Sequence, residues 1–188
     1  MTAVMNELID AVVAFQNLLE KEGIPTMAIG GIAVGIWGEP RLTRDVDMKV
    51  LIHREDRARL LAVLRAFTPL DDNPDDSFRR LGLAFFHDSN GVRIDVLLAD
   101  TVFDETAIER ARIVKLFKDK TIRVCTAEDL VVYKMLSTRL KDRADVESVI
   151  QKQGEALDNA YIEGWLAQFE EALADSTLVQ EFRKMRGR

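Results

Sequence analysis

Two acids separated by one residue, Asp45 and Asp47, open the apolar run Asp-Val-Asp-Met-Lys-Val-Leu-Ile that ends at Ile52. Alternate side chains of a strand share a face, so both carboxylates project the same way, about 6–7 Å apart at Cα. Val46, Met48, Val50 and Ile52 then point into a core. Two like charges so placed call for something positive between them. Upstream stand Gly30 and Gly31, after an apolar strand-like stretch and before Ile32–Trp37, which reads as a short helix. Glycine ahead of a helix lets backbone N–H groups approach phosphate oxygens closely. A phosphate-cradling turn beside paired acids points to a metal–nucleotide site. Arg44 lies on the loop before the acids, available to a phosphate or to a salt bridge with Asp45 or a neighbouring acid. Lys134 sits among Leu130, Val131, Tyr133 and Leu136, which predicts a buried stem and an ammonium aimed at one place. Its countercharge is either a triphosphate or a salt bridge within the helix.

Positioning these groups takes a sheet with helices around it. Val4, Leu8, Val12, Phe15 and Leu19 recur at helical spacing over residues 2–22, which Gly23 and Pro25 close. Residues 24–29 form the first strand and 45–52 the second. Residues 53–67 read as a helix with Leu60, Leu61, Val63, Leu64 and Phe67 inward; His53 at its start has no evident partner. Residues 70–77 read as an acidic loop. Residues 78–87 and 92–98 read as two strands joined by Asp88-Ser-Asn-Gly91, a strong hairpin signal. On the second of them Arg93, Asp95 and Leu97 share a face, and the hairpin can bring Asp95 beside Asp45 and Asp47. His87, at the far end of the hairpin, is given no role. A helix over 104–112 is followed by a small hairpin, 113–117 with 121–124, across Lys118-Asp-Lys120. Thr126-Ala-Glu-Asp129 has the look of a helix start with Thr126 as N-cap. Helices are expected over 130–139, 142–153 (closed by Gly154) and 159–174, with a short one in the tail to Arg188. Asp142 and Asp145 are either solvated or paired with Arg139 and Lys141.

Gly-Gly, thirteen intervening residues, then Asp-Val-Asp with apolar neighbours resembles the signature of the DNA polymerase beta-like nucleotidyltransferase superfamily. Members carry a third carboxylate on a later strand, a place that Asp95 fits. The resemblance implies an α+β fold: a small mixed or antiparallel sheet of nucleotidyltransferase type flanked by helices, with a C-terminal helical segment. The expected division is a catalytic core over 1–125 and a helical region over 126–188 packed on it. The resemblance further implies transfer of a nucleoside monophosphate from an NTP to an acceptor hydroxyl. Asp45, Asp47 and Asp95 would ligate two Mg²⁺ ions, Gly30 and Gly31 would cradle phosphates, and Arg44 and Lys134 would neutralise the triphosphate. Gly31 stands where Ser is commoner, so phosphate holding would rest on backbone N–H groups. Lys134, Arg139, Lys141, Asp142 and Asp145 resemble the helical region of one branch, the abortive-infection type nucleotidyltransferase toxins of toxin–antitoxin pairs. That branch implies an RNA or tRNA acceptor and an antitoxin protein as partner; antibiotic adenylyltransferases imply a small-molecule acceptor.

Composition sets the outer bounds. With 47% hydrophobic and 31% charged residues in 188, the chain can bury one full core. A net charge of −6 argues against a protein that coats nucleic acid, though a local basic surface could hold RNA. The single cysteine, Cys125, excludes an intramolecular disulfide, and no Cys/His cluster has zinc spacing. Glu7 and Asp10 interrupt the N-terminal apolar residues, so no signal peptide or membrane span is expected and the protein is placed in the cytoplasm. Two other classes share the same residues. A non-catalytic nucleotide-binding module would usually have lost one acid, and a Mg²⁺-dependent phosphohydrolase would usually add a metal-binding His.

Overall fold

The structure, a computed structural model, describes residues 3–116 and 119–187. Thr2 of the first expected helix, Phe117 and Lys118 of the second hairpin, and Arg188 of the tail lie outside them. The chain divides into two compact units, Met1–Ile32 with Leu42–Cys125, and Ala33–Arg41 with Thr126–Arg188.

The first unit holds helix α1 (Ala3–Lys21), strand β1 (Thr26–Ala28), the start of α2 (Gly30–Trp37), β2 (Asp45–Val50), α3 (Arg57–Val63), β3 (Thr68–Pro69), α4 (Pro74–Leu81), β4 (Leu83–His87), β5 (Arg93–Leu98), α5 (Val102–Arg110), β6 (Arg112–Lys115) and β7 (Thr121–Val124). The strands form one mixed sheet of order β3-β4-β5-β2-β1-β7-β6. β2 runs parallel to β5 and antiparallel to β1, so the acid-bearing strand lies in the middle of the sheet. Along β2, β4 and β5 burial alternates, the period-2 pattern of a sheet with one packed face. Val46, Met48, Val50, Ala84, Phe86, Ile94 and Val96 are buried on that face. Phe15 of α1 meets Phe67 at 5.6 Å between ring centroids, and Phe78 of α4 meets Phe86 at 6.3 Å. The opposite face carries Asp45, Asp47, Lys49, Arg93 and Asp95.

The second unit is helical: the rest of α2, then α6 (Ala127–Met135), α7 (Leu140–Gln153), α8 (Asn159–Leu173) and α9 (Leu178–Met185). Leu130, Val146, Val149, Ile162, Leu166 and Phe182 fill its interior. Thr126 caps α6 as expected, its side chain accepting from the N–H of Asp129. Residues 33–41 group with these helices rather than with the sheet because α2 ends on α7. Lys152 Nζ donates to the Gly38 carbonyl at 2.8 Å, and Gln153 Nε2 to that of Trp37 at 2.7 Å. Those are last-turn carbonyls with no partner inside their own helix.

Three expectations are corrected. Residues 74–77 of the acidic loop and the strand start at 78 are replaced by α4, while 70–73 remain a loop. Asn73 caps it by accepting from the N–H of Asp76, Pro74 opens it, two acids fill the first turn, and Gly82 (φ 64°) closes it. The single helix over 53–67 is broken: 3₁₀ turns at Arg54–Asp56 and Leu64–Ala66 bracket the seven-residue α3. The turn Ser137–Arg139 separates α6 from α7, so helix 130–139 ends at Met135 and the next begins at Leu140.

Candidate active site

β2 and β5 pair in parallel with Asp47 opposite Asp95 and Asp45 opposite Arg93. Neighbouring strands lie about 4.8 Å apart, so the three acids occupy one patch on the half-exposed face. Asp95 points away from the apolar interior, its side chain 15% exposed. The glycine turn is joined to this patch through the backbone, the N–H of Ile29 donating to the carbonyl of Asp47 at 2.9 Å. Gly30 has φ 58°, and a Cβ there would stand 1.7 Å from Asp47 Oδ2. At Gly31 a Cβ would stand 2.5 Å from Thr43 Oγ1. Both glycines are therefore required, by backbone angle and by contact at Gly30 and by contact alone at Gly31. They also open α2, whose first-turn N–H groups have no acceptor within the helix.

Gly30→Ala is expected to lose about 1–3 kcal/mol of stability, through strain at a positive φ and displacement of the Asp47 carboxylate. Gly35→Ala, with nothing within 4 Å of its added Cβ, is the control in the same helix and should gain about 0.4–1 kcal/mol. Urea unfolding of the two variants checks both signs.

The face also carries residues to which sequence reasoning gave no role. Thr43 is buried, and its hydroxyl donates to Asp45 Oδ1 at 3.0 Å, fixing that carboxylate. A hydroxyl two residues ahead of an acid was the available signal. Arg93 grips Asp95 with two hydrogen bonds, Nε to Oδ1 at 2.6 Å and Nη2 to Oδ2 at 3.2 Å. Its guanidinium lies over the Phe85 ring, 4.4 Å from the centroid. Phe85 is in register with Asp95, and His87 with Arg93, on the other side of β5. Paired residues share a face, so His87, the last residue of β4, stands in the same row as Arg93 and Asp45. The hydrogen bond with Asp95 raises the Arg93 pKa most; partial desolvation opposes it, and the charges of Asp95, Asp45 and Asp47 add to the rise. All three acids act on one guanidinium. Lys49, the next cation on β2, is engaged by Asp104 at 2.7 Å. Arg44 is exposed and forms no ion pair among the described residues, so the salt bridge to Asp45 considered above is not made.

Lys134 has a different countercharge from the triphosphate or the pair within its own helix anticipated for it. It is buried, and its ammonium lies 2.6 Å from Asp142 Oδ1 and 2.9 Å from Asp145 Oδ2, both on α7. Asp145 also takes Arg41, through Nε at 2.7 Å and Nη2 at 2.9 Å. Asp142 takes the Ser137 hydroxyl and Arg139 Nε, each at 2.6 Å. Burial alone would push the Asp142 carboxyl up; the hydrogen bonds from Lys134, Ser137 and Arg139 outweigh it and hold the pKa at about 2. Asp145 is lowered in the same way, burial being outweighed by the bonds from Arg41 and Lys134.

Among the described residues, no three His, Cys, Asp or Glu side chains are grouped closely enough to hold a metal ion as they stand. The donor chemistry of the sheet face nevertheless suits a hard divalent cation. It offers carboxylate oxygens in register, a backbone cradle that a Cβ would fill, and a guanidinium where a countercation is needed.

This sheet order with its flanking helices is the nucleotidyltransferase fold. The chain is similar to an antigenic nucleotidyltransferase-like protein from Paracoccidioides brasiliensis, at 16% identity over 94% of this chain and 93% of that one, with a TM-score of 0.52. It is also similar to the antibiotic-resistance factor ANT(2'')-Ia in solution, at 9% identity over 91% and 97% of the two chains, with a TM-score of 0.58. ANT(2'')-Ia in complex with adenylyl-2''-tobramycin gives 13% identity over 94% and 97%, with a TM-score of 0.52. At these identities the likeness is one of fold. No protein-family model matches the sequence, and no curated protein matches it. Among the described residues no helix is long and apolar enough to cross a membrane.

Proposed function

We propose that the protein is a Mg²⁺-dependent nucleotidyltransferase that moves a nucleoside monophosphate from an NTP to the hydroxyl of a small-molecule acceptor. One observation carries this reading: Asp47 and Asp95 in register on parallel strands, with Gly30 pressed against the Asp47 carboxylate. Asp45, Asp47 and Asp95 would hold two Mg²⁺ ions, which when bound stabilise the charge on attacking and leaving oxygens. Gly30 and Gly31 present the α2 N-terminus to the β- and γ-phosphates. Arg44, exposed and unpaired among the described residues, is available to reach them. The acceptor oxygen forms a bond to the α-phosphorus as the bond to the β-phosphate oxygen breaks. Pyrophosphate leaves, and the hydroxyl proton passes to Asp95. Lys134 has no part in this reading, because carboxylates of its own helical unit match its charge. A small acceptor is favoured over RNA because the fold of ANT(2'')-Ia, captured with an adenylylated aminoglycoside, is shared over nearly its whole length.

The protein incubated with each α-labelled NTP and Mg²⁺, and with aminoglycosides, other polyhydroxylated small molecules or total RNA, is expected to label a small molecule and release pyrophosphate. Labelled RNA in place of a small molecule would move the assignment to the toxin-like branch, where a protein antitoxin is the expected partner. Pyrophosphate release with no acceptor in any arm would end the proposal.

A further inference from the structure

We propose that Arg93 is a built-in countercation of this site: its guanidinium holds Asp95 in the absence of metal and gives that carboxylate up when a divalent ion binds. The inference rests on the reading of the three acids as metal ligands. It adds that metal affinity is set by competition with a residue of the same strand.

The geometry supports exchange rather than static support. Arg93 and Asp95 are two residues apart on β5, so their side chains leave the sheet on one face and meet without spanning strands. Both Asp95 oxygens are taken, which leaves that carboxylate no oxygen free of the guanidinium. The bonds are charge-assisted and fork-like, the strongest class an arginine makes with a carboxylate. Across the strand pair Arg93 is in register with Asp45, one residue pair along from Asp47 and Asp95. It thus sits in the negative field of the whole patch. The side chain is 44% exposed, so nothing cages it there. Phe85 lies under the planar cation while it holds Asp95 and so favours the paired arrangement over the released one. The consequence is a site in which one of the three acidic charges is matched when no ion is present.

A residue that merely orients Asp95 for coordination predicts the opposite result, which makes the idea testable without turnover. Mn²⁺ binding to the full chain is measured by the loss of its free-ion EPR signal, for wild type, R93M, F85L and D47N. Melting curves are recorded with and without Mn²⁺. R93M is expected to bind Mn²⁺ about tenfold more tightly, the release of one charge-assisted contact. It should also melt lower than wild type without the ion and gain more from adding it. F85L, which removes the ring under the guanidinium and leaves the charges alone, should tighten binding about two- to threefold; it decides the matter if R93M does not fold. Binding by R93M equal to or weaker than wild type would overturn the proposal and make Arg93 a positioning residue. D47N tests the underlying reading separately: if it binds Mn²⁺ as wild type does, the acids are not the site, whatever Arg93 does. An absence of binding in every variant removes both.

Discussion

Asp47→Asn will lower nucleotidyl transfer by about 10²–10³-fold while the protein stays folded. The substitution keeps the side chain's shape, so the fit against Gly30 survives and the loss is one of charge. Its effect on stability is small. Asp47 faces Asp95 directly on the next strand, and two unit charges at ~5 Å repel by about 1–3 kcal/mol, depending on how well water screens them. The Arg93 guanidinium draws on the same Asp47 charge, so the repulsion relieved and the attraction lost oppose each other and the melting temperature stays close to that of wild type. A catalytic acid is distinguished from a structural one by that pair of results, lower activity without lower stability. Labelled-NTP turnover and a melting curve on the same sample supply both. An Asp47→Asn protein that turns over as fast as wild type would remove the sheet face from consideration.

How much of this was legible in the sequence depended on whether the deciding interaction was local. The strands β2 and β5 and the face shared by Asp45 and Asp47 follow from period-2 alternation, which burial of one face enforces residue by residue. The Asn90-Gly91 turn and the Thr126 cap are likewise short-range devices. Helix α4 was also locally encoded, in Asn73, Pro74, Asp75 and Asp76, but its run of acids reads equally as a solvated loop. The apolar Phe78 and Leu81 extend toward a true strand and blur the boundary. What could not be read were pairings between distant residues. Arg41 and Asp145 are 104 positions apart. The parallel pairing of β2 with β5, which sets Arg93 opposite Asp45, depends on the path of the whole sheet. The environment of Lys134 was anticipated in kind, a buried stem with a fixed ammonium. Its partners were not, because the Ser137–Arg139 turn carries α7 back onto it.

Lys134→Met will destabilise the protein by about 3–5 kcal/mol, because it removes the cation between two buried carboxylates and leaves both charges in place. Asp142 is fully buried and Asp145 nearly so, so water cannot replace the ammonium as it would for the exposed pair Arg183–Glu163. An exposed pair is worth only about 0–1 kcal/mol. The pH dependence has a defined sign. In the wild type Asp142 titrates at about 2, below its ordinary 3.8. The unfolded chain therefore takes up the proton first, and the stability that Asp142 contributes is complete above about pH 4 and lost as the pH falls through about 2. With Lys134 gone, each acid loses one of the bonds that outweigh burial while Ser137, Arg139 and Arg41 remain, so both pKa values rise from their wild-type positions. The variant therefore loses less stability than wild type as the pH falls below the ordinary carboxylate range. Urea midpoints compared at pH 7 and pH 3 should lie closer together at the lower pH. A Lys134 that instead served a triphosphate would show the contrary pattern, a raised KM for NTP in a protein as stable as wild type at both pH values.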